Sequence, residues 1–402
     1  MSLGGEKSFK MRMRDMENAF KYRRIPYPKR SVELIAILAI SCTFFLFMHT
    51  NKLNSRLKEM EIKLQPSEFS ALGLTGNQIS PRESSRRDNI NTLHGTYQYL
   101  KSTGQLRSLS TSSLNNTRKA DIDILFFNRC AKVGSESMIQ LLGNLETING
   151  FNLDHFGPGK GTRRNLPPRE QERVADYVFR LGAGSAYVEH ISWINFYDFG
   201  LPKPIYINLV RDPVERVISW YFYARNAYKN AWVFRKNPNA NLKSAVWFKK
   251  DFNECVRSGD PECQYVPYTF VDSTGNFKRQ SLFFCGQNLD CLPFDSPYAI
   301  QMAKDRVERE YAVVGSWEET NVTLTVLENY IPLFFSGAKR VYYLNKESLE
   351  NRNRNNRKPY VAEDVKQMIR KNFTNEYDFY HFCKQRLFKQ YLALNHKEFP
   401  IN

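Results

Sequence analysis

Apolar residues in this chain form one long run near the N-terminus and, from about residue 120 onward, a series of short runs. Residues 34–48 are mostly apolar and carry no charge. This run is shorter than the roughly 20 residues of a typical membrane span, but the thinner membranes of the early secretory pathway accept shorter helices. We therefore predict a transmembrane anchor at residues 31–49.

The short apolar runs alternate with segments of helical periodicity. Strand-like runs lie at 122–127, 186–191, 205–210 and 311–314. Helical spacing follows at 135–145, 214–223, from 315 to about 330, 361–373 and 377–394. Strands that alternate with helices predict an α/β domain in which a parallel sheet is covered on both faces.

The segment between the anchor and the first strand differs in composition from both. Residues 66–119 are rich in Ser, Thr, Asn, Arg and Gln and have few large apolar clusters, which is typical of a flexible linker. We therefore predict a basic cytosolic tail at 1–30, the anchor at 31–49, a luminal stem at 50–119 and a folded domain at 120–402.

Lys and Arg are dense in the first 30 residues and sparser beyond the anchor. Because basic flanks stay in the cytosol, this distribution predicts single-pass type II topology with the folded domain in the lumen. A cleaved signal peptide and a buried soluble helix are the alternatives. Against the signal peptide, the basic region is long and no small-residue cleavage site follows Met48.

The formal net charge of +17 favours a polyanionic partner, namely nucleic acid, an anionic membrane or an acidic glycan. Luminal placement favours the glycan and disfavours nucleic acid. Basic residues that could contact such an acceptor are Arg225, Lys229, Arg235, Lys249 and Lys250. N-glycosylation sequons, which suit a luminal domain, begin at Asn115, Asn321 and Asn372.

Four of the seven cysteines form two close pairs, Cys255 with Cys263 and Cys285 with Cys291. In an oxidising lumen this spacing predicts two short disulfide loops. Zinc binding is the alternative, but neither pair has C-x2-C spacing and no histidine lies near either pair.

A loop with a lysine and a glycine follows the first predicted strand. Residues 128–137 read N-R-C-A-K-V-G-S-E-S, in which Lys132 and Gly134 precede a hydroxyl-rich helix start. A helix N-terminus behind such a loop can bind phosphate through its N–H groups. The loop is not a Walker A motif, because the lysine precedes the glycine. An ordinary capped turn is the alternative.

A second candidate phosphate site follows the strand at 205–210. Arg211 comes directly after this strand, Pro213 suits the first helical turn, and Ser219 lies on that helix. Arg211 could bind phosphate with paired donors and Ser219 with its hydroxyl, while a structural Arg211–Asp212 ion pair is the alternative. Two such sites indicate a nucleotide with phosphates at both ends. An ATP-dependent kinase is disfavoured because the Walker order is missing.

These residues lie within longer motifs. The motifs are F-F-N-R-x-x-K-x-G-S from Phe126, P-I-Y-I-N-L-V-R-D-P-V-E-R from Pro204 and F-F-C-G from Phe283. Over residues 121–394 they resemble the uronyl and heparan sulfate 2-O-sulfotransferase family. The resemblance implies a P-loop-like domain in the Golgi that transfers sulfate from 3′-phosphoadenylyl sulfate (PAPS) to a glycosaminoglycan or glycoprotein glycan. It also implies a homotrimer and no metal, and it supports both cysteine pairings.

The resemblance assigns roles to particular residues. The loop around the 5′-phosphosulfate would comprise Lys132, Gly134, Ser135, Glu136 and Ser137. Arg211 and Ser219 would bind the 3′-phosphate. A basic loop with Arg352, Arg354, Arg357 and Lys358 would close over it.

His190 ends the second predicted strand and matches the catalytic base of the family, with Lys132 stabilising charge on the transferred group. A neutral histidine suits removal of a hydroxyl proton, although a core histidine is the alternative. Heparan-type members carry His-x-His where this chain has Val188-Glu189-His190. This difference puts heparan sulfate in doubt as the acceptor. A glycan-binding membrane protein without catalysis is the alternative for the whole chain.

We expect type II topology to be visible by protease protection of intact microsomes. An N-terminal tag should be clipped, whereas epitopes beyond residue 70 should survive, because the basic flank keeps the N-terminus in the cytosol. Survival of the N-terminal tag together with loss of the downstream epitopes would contradict the prediction.

Overall fold

The computed structural model describes residues 91–155, 165–237, 243–269, 278–351 and 358–394, together with Met48, Gly157 and Asn239. The predicted tail, nearly all of the anchor, the stem before residue 91 and the arginines at 352, 354 and 357 lie outside the described residues. Within the described part of the chain, no helix is long and apolar enough to cross a membrane.

The described strands form one parallel sheet in the order β2-β3-β1-β4-β5. They are β1 Ile124–Asn128, β2 Asn152–Asp154, β3 Ser185–Glu189, β4 Ile205–Leu209 and β5 Tyr311–Gly315. Every residue of β1, β3, β4 and β5 is buried, as expected for parallel strands covered on both faces. The predicted parallel α/β sheet is therefore confirmed.

The helices are α1 Leu93–Ser102, α2 Thr111–Leu114, α3 Ser135–Asn149, α4 Pro168–Arg180, α5 Pro213–Ala224, α6 Ala227–Lys236, α7 Ala245–Lys249, α8 Phe252–Arg257, α9 Leu282–Cys285, α10 Pro297–Arg309, α11 Thr320–Tyr330, α12 Pro332–Phe335, α13 Ala338–Leu344, α14 Lys346–Asn351, α15 Glu363–Lys371 and α16 Thr374–Leu394. Capping residues explain several helix starts. Asp212 accepts a hydrogen bond from the Glu215 N–H (2.9 Å) ahead of Pro213 in α5, and Ser296 precedes Pro297 in α10 in the same way.

Parallel pairing brings the carboxyl ends of the central strands to one edge of the sheet. Asn128 at the end of β1 pairs with Glu189 at the end of β3, and Leu209 at the end of β4 pairs with Gly315 at the end of β5. The residues that follow these strands therefore meet at one edge, where ligands of open α/β sheets bind.

Folded structure begins before residue 120, where a flexible stem was predicted. Helix α1 packs against α16, and Leu100 is buried. The Asn116 side chain donates to the carbonyls of Glu308 (2.8 Å) and Tyr311 (2.9 Å), and Gln390 donates to Leu114 (3.1 Å). Composition missed this because only a few apolar residues, together with amide side chains, attach residues 93–119 to the domain.

Two disulfides join Cys255 to Cys263 and Cys285 to Cys291, with Cα–Cα distances of 5.8 Å in both. Both predicted pairings are confirmed. Cys130 and Cys383 are buried thiols.

Buried amides connect the ends of the strands. The Asn208 side chain donates to the Asn128 carbonyl (2.7 Å), and the Asn128 amide donates to the Phe283 carbonyl (2.8 Å). The Tyr311 hydroxyl donates to Asn128 Oδ1 (2.9 Å). Burial raises the pKa of Tyr311 far above its usual value, so the phenol stays protonated and remains a donor.

Asn128→Ala should lower the free energy of unfolding by about 2–3 kcal/mol, because it leaves the buried partners of the amide unsatisfied. Denaturant unfolding of the full-length protein measures the change. The control is Asn329→Ala on the exposed side of α11, which should change stability by less than about 0.5 kcal/mol. Equal stability of the two variants would show that the network contributes nothing.

Candidate active site

The loop between β1 and α3 is held in an unusual backbone conformation. Lys132 and Gly134 both have left-handed φ angles, +66° and +88°. A Cβ at Gly134 would lie 2.2 Å from Trp317 Cδ1, and the Trp317 indole donates to the Gly134 carbonyl (2.8 Å). Glycine is therefore required at 134, and Trp317 holds the loop in place.

The start of α3 presents backbone donors at this edge of the sheet. The N-cap residue of this helix is Gly134, which has no side chain, and no other side chain in the described part of the protein caps the helix. Because the first N–H groups of a helix lack intrahelical acceptors and carry partial positive charge, they can bind an anion. The 15-residue length of α3 aligns many peptide dipoles toward this end.

The side chains of the first turn of α3 differ in their burial and in their partners. Ser135 is buried, whereas Glu136 is exposed and forms an ion pair with Arg129. The Ser137 hydroxyl donates to the carbonyl of Leu349 in α14 (2.9 Å). Ser137 therefore attaches α3 to α14, the last helix before the basic loop.

Lys132 contacts both the segment that follows β4 and the helix α5 after it. Its ammonium lies 4.1 Å from the centroid of the Tyr223 ring at the end of α5. Its carbonyl accepts a hydrogen bond from Arg211 Nη1 (3.3 Å). The two candidate phosphate sites are thus adjacent and share a direct contact.

Arg211 follows β4 and Ser219 lies on α5, as the sequence predicted. The alternative was an ion pair between Arg211 and Asp212, but Asp212 has other partners. Its carboxylate caps α5 and also accepts a hydrogen bond from the Tyr377 hydroxyl (2.8 Å). Ser219 is buried on α5. Arg216, which the sequence placed on the same helix without a role, is fully buried with its Nη1 3.5 Å from the Ala131 carbonyl. Its position one turn before Ser219 was the available signal.

His190 follows β3 directly and is half-buried. The ring Nδ1 lies 2.9 Å from the Arg129 carbonyl oxygen, and the backbone N–H of His190 donates to the Glu189 carboxylate (2.8 Å). Because a carbonyl oxygen only accepts, Nδ1 carries the proton and Nε2 is the basic nitrogen of the neutral ring. The imidazole is therefore oriented by the same loop that contains Lys132.

Lys358 is held in an ion pair at the start of α5. Its ammonium and that of Lys366 each lie 2.8 Å from the Glu215 carboxylate. Burial opposes ionisation of Glu215, but the hydrogen bonds from the two lysines outweigh it and lower the pKa to about 2. Lys358 is the last residue of the predicted basic loop, and this pairing places it beside α5, the helix that follows Arg211.

Two candidate acceptor contacts have structural partners instead. Arg225 is buried between the Tyr221 and Trp247 rings and pairs with Glu262 (2.7 Å), while Lys250 pairs with Asp260 (2.6 Å). Arg235 and Lys249 are exposed. Of the sequon asparagines, Asn321 and Asn372 are exposed, whereas the half-buried Asn115 accepts a hydrogen bond from the Thr117 N–H (3.0 Å).

No metal-ligand cluster is visible in the described part of the chain. None of its groups of His, Cys, Asp and Glu brings together three or more side chains that could hold a metal ion.

Comparison with known proteins identifies the family. A family model described as "Sulfotransferase family" matches residues 116–383. The chain is 45% identical to the "Uronyl 2-sulfotransferase homolog pip" of Drosophila melanogaster, over 98% of this chain and 96% of that protein. It is 29% identical to the uronyl 2-sulfotransferase of Mus musculus (67% of this chain, 63% of that protein). It is 28% identical to heparan sulfate 2-O-sulfotransferase 1 of Gallus gallus (65% and 70%). The chain therefore belongs to the sulfotransferase family.

Proposed function

We propose that the protein is a Golgi sulfotransferase that transfers the sulfuryl group of PAPS to the 2-hydroxyl of a uronic acid in a glycosaminoglycan or glycoprotein glycan. One observation carries this proposal. His190 and Arg211 arrive from different strands, and both bond to carbonyls of the loop that contains Lys132, at Arg129 (2.9 Å) and Lys132 (3.3 Å). A candidate base and two candidate phosphate ligands are therefore held by one short loop.

The arrangement of cations and helix ends fits a donor with phosphate at both ends. The uncapped start of α3 and Lys132 suit the phosphosulfate end. Arg211 and the buried Ser219 suit the 3′-phosphate, because a guanidinium binds phosphate through paired donors. When bound, PAPS supplies an activated sulfuryl group attached to a phosphate that can leave.

His190 accounts for proton removal from the acceptor hydroxyl. Its Nδ1 proton is engaged with the Arg129 carbonyl, so Nε2 takes the hydroxyl proton as the acceptor oxygen attacks sulfur. Lys132 and the N–H groups of α3 stabilise the negative charge that develops on the departing phosphate. Arg211 keeps the opposite end of the donor in place while this occurs.

The exposed helix that follows α5 supports an acidic sugar acceptor. Helix α6 begins four residues after Tyr223, whose ring contacts Lys132. On it Tyr228 and Trp232 are exposed, and the Lys236 ammonium lies 4.1 Å from the Trp232 ring centroid. Aromatic faces and ammonium groups together suit a sugar ring that bears a carboxylate.

The acceptor that we propose is a uronic-acid glycan other than heparan sulfate. Val188 occupies the position of the first histidine in the heparan-type His-x-His, and it is buried in β3 with 3% exposure. An apolar buried side chain cannot supply the polar contact that a histidine makes there.

The proposed location rests on the basic N-terminal tail and the apolar run at 34–48. A type II anchor would place the domain in the Golgi lumen, where the acceptor glycans are assembled. The disulfides at 255–263 and 285–291 agree with an oxidising compartment. We also propose a homotrimer, by analogy with the family.

The test is transfer of radiolabelled sulfate from PAPS by the full-length protein in detergent. We expect label in a desulfated dermatan or chondroitin-type acceptor, with little in heparan-type chains and none when the uronic acid is reduced to the neutral sugar. Binding of these glycans without transfer would instead support the non-catalytic glycan-binding alternative.

His190→Ala should separate binding from chemistry. Its affinity for PAPS should persist, because the phosphate ligands remain, while kcat should fall by about 10²–10⁴, the usual contribution of a positioned base. His94→Ala, on the exposed side of α1, is the matched control and should retain wild-type turnover. Near wild-type turnover in His190→Ala would exclude its role as the base.

A further inference from the structure

Gln280 makes two reciprocal hydrogen bonds with the backbone of Arg211. The Arg211 N–H donates to Gln280 Oε1 (3.1 Å), and Gln280 Nε2 donates to the Arg211 carbonyl (2.9 Å). The Gln280 side chain is fully buried. A planar amide that bonds to both backbone groups of one residue restricts the orientation of that residue, much as a neighbouring strand would.

The segment that contains Gln280 crosses the carboxyl edge of the sheet. Three residues later, the Phe283 carbonyl accepts hydrogen bonds from the Asn128 side chain at the end of β1 (2.8 Å) and from the Trp193 N–H after β3 (2.9 Å). Residues 280–283 thus bond to the last residue of β1 and to the segments that follow β3 and β4. Phe283 is also the first residue of the F-F-C-G motif.

Helix α16 fixes this segment from the other side. Glu376 is fully buried, and its carboxylate accepts hydrogen bonds from the Gln280 N–H (3.0 Å) and the Ser281 hydroxyl. Asp295 in turn accepts a hydrogen bond from the Glu376 N–H (2.9 Å). Gln280 is therefore anchored at its backbone by α16, which leaves its side chain to hold Arg211.

We propose that Gln280 is a positioning residue that aligns Arg211 for the 3′-phosphate of the donor. The alignment extends to the phosphosulfate loop, because Arg211 Nη1 bonds to the carbonyl of Lys132, whose backbone is left-handed. Gln280 thereby couples the ligands of both donor phosphates without contacting the donor itself. This inference rests on the proposed function of Arg211.

The test measures the Kd of adenosine 3′,5′-bisphosphate for the full-length protein by calorimetry. Gln280→Met keeps the side-chain volume and removes both hydrogen bonds, so the Kd should rise about 10- to 100-fold, as expected when a binding group is displaced. The KM for PAPS should rise by a similar factor, whereas any fall in kcat should be smaller than the rise in KM, because His190 is oriented by the Arg129 carbonyl and not by Gln280.

A double variant separates positioning from general destabilisation. If Gln280 acts through Arg211, then Gln280→Met combined with Arg211→Ala should bind no more weakly than Arg211→Ala alone. The matched control is Gln390→Met. Gln390 is a buried glutamine of α16 whose amide donates to Leu114 (3.1 Å) and Ala312 (2.7 Å), and this variant should lose stability without loss of nucleotide affinity.

Additive effects in the double variant, or an equal loss of affinity in Gln390→Met, would overturn the inference. If the wild type binds the bisphosphate and Arg211→Ala binds it weakly, wild-type affinity in Gln280→Met refutes the role of Gln280 but leaves the proposed function of Arg211 standing. If the wild type does not bind the bisphosphate, the proposed function fails as well. Should Gln280→Met not fold, Gln280→Glu retains the acceptor for the Arg211 N–H, and its Kd should lie between those of the wild type and Arg211→Ala.

Discussion

The whole site depends on side-chain amides that replace backbone partners where the parallel strands end. A strand that leaves a sheet loses its ladder partners, yet its buried N–H and C=O groups must still be paired. Asn208 meets this requirement by accepting from the N–H groups of Leu209 (2.8 Å) and Cys130 (3.3 Å). Asn128 and Gln280 do the same for the Phe283 carbonyl and for Arg211. These amides let the chain leave the sheet in defined directions.

A consequence is that the candidate catalytic groups are attached to rigid elements. His190 and Arg211 each follow a fully buried strand by one or two residues, and both bond to the loop of Lys132. Sites supported in this way require little reorganisation when charge develops, which is how preorganised donors stabilise a transition state. The left-handed backbone at Lys132 persists because Arg211 and Trp317 hold the loop on either side.

Some of the basic residues of the protein form ion pairs within the fold, whereas others are exposed at the surface. Arg225, Lys250 and Lys358 pair with Glu262, Asp260 and Glu215, so much of their charge is used within the fold. On α6, Arg235 and Lys236 are exposed, and Lys236 lies beside the Trp232 ring. A count of lysines and arginines therefore overstates the positive charge that is available at the surface, and the exposed residues of α6 are the ones that support the acidic acceptor that we propose.

The sequence alone determined the structural elements that depend on residues close together in the chain. Short, mostly apolar runs identified β1, β3, β4 and β5, and Pro213 marked the start of α5. The close cysteine pairs identified both disulfides. Only the tertiary structure decided which polar side chains meet. Ser137 and Leu349 are 212 residues apart, and Arg211 and Gln280 are 69 apart. Hydrogen bonds between distant residues leave no periodic pattern in the sequence, so only the tertiary structure shows how residues 93–119 are attached and that Gln280 contacts Arg211.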